Sequence, residues 1–300
     1  MKKWEKKSKA FDIRDLWKSL GRGPNVVYAP KAAEAKPTIP KGGLHNRYEG
    51  VDSAWQLHET VDDFLARLPV HSSSWAGLWL WVANPYADRD AEPEYQSAKF
   101  KQQGPKLLQD YLDYRQQMEQ ENPDKIPAVI TRKLYPARIK FKEDIINLSK
   151  DSGMLCGKWM LFPYEDDATS VWKRVVAGVI EGKLGTAAKI ATDDEGKGTR
   201  LICVYTRDFS DVEDVKRVVQ QLQKMGLLPT EGRSIYYKSD AYTYLNIYSE
   251  NKYNLQASLY ASKDVLEGKV DSNTTAKTAG QKRIGDFTAN SKADGKRKKT

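Results

Sequence analysis

Gly157-Lys158-Trp159-Met160-Leu161-Phe162 opens the stretch that decides the fold. Residues 155–162 are apolar and rich in β-formers, which reads as a strand. Val171, Trp172, Val175, Val176, Val179 and Ile180 come next at helical spacing, and Gly182 closes that helix. Residues 186–192 and 200–206 read as two strands joined through a hairpin loop at 193–198. Ser210-Asp211-Val212-Glu213 has the form of a capping box. Val212, Val215, Val218, Val219, Leu222 and Met225 then make one apolar stripe up to Gly226. Strand, helix, strand, strand and helix in that order outline an α+β fold.

Upstream, residues 1–20 read as a basic head and a short amphipathic helix, with Ile13, Leu16, Trp17 and Leu20 on one face. Residues 21–47 carry Gly, Pro, Ala and Lys without periodicity and read as an arm or linker. One α+β domain is expected over residues 48–268. In it, Thr60-Val61-Asp62-Asp63 is a helix start, and residues 75–83 form a strong strand ended by Asn84-Pro85. Residues 84–150 read as a helical insertion. Pro105 is expected at the first position of a helix reaching Gln120, and Pro123, Pro127 and Pro136 keep residues 122–140 from forming one straight helix. Residues 141–150 are helical. Downstream, 235–238, 242–248 and 255–260 read as the last extended segments. Residues 269–300 are polar, small and basic, as in a disordered tail.

The net charge of +9 is concentrated at the two ends. Residues 1–9 hold five Lys against one Glu, and residues 269–300 hold nine Lys or Arg against three Asp, which leaves the part between them at −1. A near-neutral body disfavours a broad phosphate-tracking surface and leaves room for a small basic pocket. No run of eighteen apolar residues exists, so no membrane span is expected. The basic start is not followed by the apolar stretch of a signal peptide, and Cys156 and Cys203 sit in apolar runs suited to reduced thiols. An intracellular protein of the nucleus or cytoplasm is the expectation.

Catalytic signatures are absent from the sequence. His45, His58 and His71 do not stand with Cys, Asp or Glu at metal-ligand spacing. Nucleophile elbow, phosphate loop and dinucleotide fingerprint are missing, and Gly182-Lys183-Leu184-Gly185 lacks the context of a phosphate cradle. Asp166-Asp167 reads as a solvated helix start. We therefore expect a non-catalytic protein without cofactor or metal. Aromatic residues offer more. Trp75, Trp79 and Trp81 alternate onto one strand face, which suits a stacking platform for a base or, more commonly, a face packed under helices. Trp159 and Trp172 read as core. Trp55, within the polar run Asp52-Ser53-Ala54-Trp55-Gln56, reads as an exposed aromatic. Tyr236, Tyr237, Tyr242, Tyr244 and Tyr248 with Lys238 form a patch of a kind that holds single-stranded RNA and that also suits an ordinary sheet.

Four blocks carry a resemblance: residues 48–55 (YEGVDSAW), 184–189 (LGTAAK), 201–206 (LICVYT) and 242–248 (YTYLNIY). Over residues 48–262 the chain resembles the family of the basophilic leukaemia-expressed protein. The resemblance implies a fold similar to that of translation initiation factor 4E, the mRNA cap-binding protein: a curved, mainly antiparallel sheet backed by helices. Trp75-Ala76-Gly77-Leu78-Trp79 is similar to the first strand of that factor, and Gly157-Lys158-Trp159 to its Gly-basic-Trp strand, whose basic residue contacts cap phosphate. The resemblance thus gives Lys158 a phosphate-binding role and places Lys189, Lys197 and Arg200 near further phosphate contacts. The cap-binding factor holds its base between two Trp with a Glu beside the second. No Trp-Glu pair stands just before residue 157 here.

The tail offers a second functional class. Gln281-Lys282-Arg283-Ile284-Gly285-Asp286-Phe287-Thr288 resembles the peptide that docks on the replication sliding clamp, with Thr288 in place of its second aromatic. Gln281, Ile284 and Phe287 are then the docking residues, plugged into an apolar pocket by one helical turn. Lys296-Arg297-Lys298-Lys299 has the form of a nuclear import signal. The leading expectation is an RNA- or nucleotide-binding module using the concave sheet face, with Lys158, Trp55, Lys189, Lys197, Arg200, Tyr237 and Lys238 as contacts. The alternative is a nuclear interaction protein with a clamp-docking tail.

Overall fold

The computed structural model describes residues 39, 43–72, 77–87, 98–193, 196, 198–228 and 233–270. Among these, six strands form one open sheet: β1 (Trp79–Ala83), β2 (Gly157–Leu161), β3 (Ala187–Ala191), β4 (Ile202–Thr206), β5 (Tyr236–Ser239) and β6 (Tyr260–Ala261). Their order is β1-β3-β4-β2-β5-β6, and every pair is antiparallel. Helices α1 (Val61–Arg67), α2 (Ala98–Gln120), α3 (Pro127–Lys133), α4 (Tyr135–Asp151), α5 (Glu165–Ile180), α6 (Val212–Lys224), α7 (Asp240–Tyr244) and α8 (Ser262–Leu266) complete the architecture. The fold is α+β. The N-terminal helix read over residues 1–20 and the tail lie outside the described residues.

Pleating sorts each strand between two faces. Leu80 and Val82, Trp159 and Leu161, Ala188 and Ile190, Ile202 and Val204, and Tyr237 point into one core with the apolar sides of α5 and α6. Trp172, Val175, Val176 and Val179 supply the α5 side, and Gly182, at φ 68°, takes the left-handed turn that ends the helix. Val215, Val218, Val219 and Leu222 supply the α6 side. Trp159 satisfies its indole N–H in this core by donating to the Val215 carbonyl at 3.0 Å. A second core lies between α2, α4 and α7, where Phe100, Tyr111, Phe141, Ile145, Tyr242 and Leu245 are buried. Tyr111 and Phe141 stack there at 4.4 Å.

Four local readings need correction. The α6 cap is Asp211, whose side chain accepts from the Asp214 N–H; Ser210 instead donates to Asp208. Pro105 lies inside α2, because Phe100 and Gly104 are buried against the second core and keep the residues ahead of it helical. Burial thus overrides a residue that costs roughly 3 kcal/mol in a helix interior. Helix α4 begins at Tyr135, well ahead of residue 141, with Pro136 in its first turn where the missing N–H is harmless. Residues 242–248 are not a strand. Ser239 caps α7 by accepting from the Tyr242 N–H, Ala241, Tyr242 and Leu245 bury one helical side, and Asn246 reverses the chain at φ 53°.

Candidate functional site

The sheet face opposite α5 and α6 carries a different chemistry. Its residues are Trp79 and Trp81 on β1, Ala187 and Lys189 on β3, Cys203 and Tyr205 on β4, Lys158 and Met160 on β2, and Tyr236 and Lys238 on β5. Register brings Trp81 beside Lys189 and Lys189 beside Cys203. One step along, Tyr205 pairs with Lys158, which pairs with Lys238. Three lysines from three strands therefore share one face with a row of aromatic rings.

A cavity of about 580 Å³ opens on this face, and Arg47, Tyr48, Trp81, Lys158, Lys189, Tyr205, Asp240 and Tyr244 are among its lining residues. Tyr48 arrives from outside the sheet. Ala54 makes a bridge to Trp81, with the Trp55 N–H donating to the Trp81 carbonyl at 2.9 Å and the Trp81 N–H to the Ser53 carbonyl at 3.0 Å. Asn46 locks the preceding turn, its side chain donating to the Trp55 carbonyl and accepting from the Tyr48 N–H. The Tyr48 ring then meets the Trp81 ring at 5.2 Å, and Trp81 stacks beside Tyr205 at 6.1 Å with 21° between planes.

The cations differ in their partners. Lys158 Nζ pairs with Asp240 Oδ1 and donates to Thr243 Oγ1 at 2.9 Å, so its charge is already balanced. Asp240 is held in place as the first residue of α7, its N–H donating to the Cys156 carbonyl at 2.8 Å. Lys189 has no such carboxylate among the described residues. Its ammonium lies 3.9 Å from the Trp79 ring and 4.7 Å from the Trp81 ring. Burial pushes its pKa below the usual lysine value, and the Lys158 charge adds to that. Lys238, with its ammonium 3.9 Å from the Tyr248 ring, is pushed down to about 8 by burial first and by Lys158 second. Burial raises the Cys203 thiol to about 11, against the pull of the surrounding lysines, so Cys203 is a neutral thiol and not a thiolate.

The structure brings together Lys158, Lys189 and Lys238 from the expected set. It moves three others away. Trp55 is only 3 % exposed and packs in the helix-side core, its indole N–H donating to the Glu59 carbonyl at 2.9 Å. The polar run around it is a chain of turns, so local polarity misjudges the one side chain turned inward. Tyr237 is fully buried between Trp159 and Tyr260, with its hydroxyl 2.6 Å from Thr206 Oγ1. Its neighbours Tyr236 and Lys238 take the other face because strand parity allows nothing else. Arg200 is buried and forms a two-point ion pair with Glu165 at the start of α5, outside the cavity lining. Lys197, Trp75, Gln281, Ile284 and Phe287 lie outside the described residues.

Trp79 and Trp81 sit on the face opposite α5 and α6, contrary to the commoner arrangement in which such a row packs beneath helices. Tyr48, Tyr205, Asp240 and Thr243 are site residues that motif reading passed over. Parity with Cys203 was the available signal for Tyr205. Asp240 had none, since its place depends on α7. Among the described residues no helix is long and apolar enough to cross a membrane. Residues 4–246 match the family model described as basophilic leukemia-expressed protein Bles03, and the chain belongs to that family.

Proposed function

We propose that this protein is a non-catalytic module that binds a nucleotide-like ligand or RNA in the cavity on the open sheet face. The observation that carries this reading is the convergence of the Tyr48, Trp81 and Tyr205 rings with the Lys158 and Lys189 ammonium groups in one hollow of about 580 Å³. Its size falls in the range of small-molecule sites. Flat rings give a base a stacking partner worth roughly 1–3 kcal/mol. Lys189, held over indole faces and not over a carboxylate, is available to a phosphate. Asp240 and Thr243 offer polar atoms for the edge of a base. We also read the architecture as similar to that of translation initiation factor 4E. An antiparallel sheet with α5 and α6 packed on one face, a Trp-bearing β1 and the Gly157-Lys158-Trp159 strand support that reading. The lack of a Trp-Glu pair before residue 157 sets the ligand class at nucleotide and no narrower.

The test is titration of the full chain with AMP, GMP and UMP, followed by tryptophan fluorescence and calorimetry. Trp81→Ala should weaken binding by roughly 5- to 150-fold, the equivalent of one stacking contact. Lys189→Gln should weaken it by about tenfold and reduce its salt dependence. Lys158 is a poorer choice, since replacing it strands Asp240. Absence of binding to all three nucleotides at millimolar concentration would overturn the reading.

A further inference from the structure

The tyrosine-rich edge of the sheet lies beyond Lys158 on the same face as the cavity. On β5, Tyr236 and Lys238 share the open face, next to Met160 and Lys158 of β2. Tyr244 belongs to both regions, lining the cavity while remaining 43 % exposed. Tyr248 is 53 % exposed and Tyr236 45 % exposed. Lys238 is itself only 5 % exposed and rests on Tyr248, with Tyr236 two residues away on the same strand face. The carboxylate that acts on it electrostatically, Asp240, is engaged by Lys158. A nearly buried ammonium without a carboxylate of its own is costly to maintain, and a bound anion offsets that cost.

The geometry points to a second subsite, built from Tyr248, Lys238 and Tyr236, that takes the nucleotide next to the one in the cavity, so that the ligand is a single-stranded oligonucleotide and not a free mononucleotide. This rests on the cavity being the base-binding site proposed above. Adjacent strands lie about 4.8 Å apart, so the step from Tyr205 on β4 across β2 to β5 covers roughly 10 Å. One base does not span that distance, whereas two linked nucleotides do. Within this track Tyr248 and Tyr236 are stacking partners, and Lys238 meets the phosphate that joins the two nucleotides. Stacking accepts every base, so the track selects strand length over sequence. Single-stranded RNA and DNA share this chemistry.

The experiment uses the full chain and 5′-phosphorylated uridine oligomers of one, two, four and six nucleotides, with a deoxyribose series in parallel. Affinities are compared for the wild type, Tyr248→Ala, Lys238→Gln and Trp81→Ala. The wild type should gain at least tenfold from one to two nucleotides in the ribose or the deoxyribose series, and the series that gains names the sugar. Tyr248→Ala and Lys238→Gln should remove most of that gain while leaving mononucleotide affinity within about twofold. Trp81→Ala should weaken every length. The basic ends of the chain contribute equally to all four proteins, so the differences among them isolate the track. Dimers bound no better than the monomer, or a gain unaffected by both Tyr248→Ala and Lys238→Gln, would overturn the second subsite and leave the cavity reading standing. No binding at any length would overturn both.

Discussion

Consecutive residues on one strand lead opposite lives in this sheet. Trp159 is sealed between β2, α5 and α6, while Lys158, one residue earlier, lines an open cavity. Tyr237 is buried to the last atom, and Lys238 after it reaches toward exposed tyrosines. One face is a dry apolar core and holds the fold together. The other gathers three lysines and a row of rings around a smaller apolar cluster of Cys156, Ala187, Cys203 and Tyr205. Stability and binding should therefore separate by strand parity, with helix-side changes felt in unfolding and open-side changes felt in ligand affinity.

The largest break in that comparison is Trp159→Ala. It removes a fully buried indole, its hydrogen bond to Val215 and its edge contact with Tyr237. A loss of about 4 kcal/mol is expected from the cavity left behind. Gly157 shows how tight this side is: a Cβ there would lie 2.2 Å from the Tyr237 hydroxyl, so the Gly of the Gly-Lys-Trp strand is required by the ring laid across it. Urea unfolding should show Trp159→Ala as the most destabilised single variant. A loss below about 1 kcal/mol would break the division between faces.

The open side also carries a charged structural element, the Lys158–Asp240 pair. Asp240→Asn keeps the shape and strands a nearly buried ammonium, which should cost about 3 kcal/mol. Lys158→Met alone leaves the carboxylate unpaired and should cost a similar amount. The double variant, Lys158→Met with Asp240→Asn, should recover most of either loss. Additive losses in the cycle would show that the pair is not coupled and that the open face does no structural work there.

Much of this division was legible in the sequence. The order β2, α5, β3, β4, α6 could be read from apolar spacing because each element buries one regular stripe or one strand parity. Lys158 and Lys189 came within reach only through the resemblance of the segments that carry them, and strand pairing puts both on the open face. Tyr237 was misplaced by treating a Tyr-Tyr-Lys run as one patch, although adjacent strand residues cannot share a face. Residues 242–248 were misread because β-prone tyrosines dominate them, while the Ser239 cap and the burial of Ala241, Tyr242 and Leu245 decide for helix. Tyr48 and Asp240 were out of reach, since each is placed by a contact with a segment distant in the chain.

A change of opposite sign sharpens the comparison. Lys238 has a pKa of about 8 in the folded protein, against roughly 10.4 for a lysine in an unfolded chain. Burial and the Lys158 charge lower it; Asp240 and Cys203 act weakly in the other direction. Between these values the unfolded chain binds more protons than the folded one, so stability rises with pH across about 8 to 10.4. Below that window the charged lysine is a net cost. Lys238→Met should therefore stabilise the protein at pH 7 by on the order of 2 kcal/mol and flatten the pH dependence above 8. Unfolding midpoints measured from pH 7 to 10 check both. A Lys238→Met variant less stable than wild type at pH 7 would show that the ammonium is compensated after all.

The smallest effect on stability is expected at a position whose change weakens binding. Lys189→Gln removes a cation from over Trp79 and Trp81, a contact worth about 0.5–1 kcal/mol at a partly exposed site. It also removes the desolvation that holds the Lys189 pKa down. The two contributions oppose each other, so the unfolding free energy should move by less than about 0.5 kcal/mol while nucleotide affinity falls about tenfold. Set beside Trp159→Ala, this is the full contrast in one pair of measurements. If Lys189→Gln destabilised the fold as much as a core change and left affinity untouched, the lysines would be packing elements, and the open face would be only the second side of a sheet.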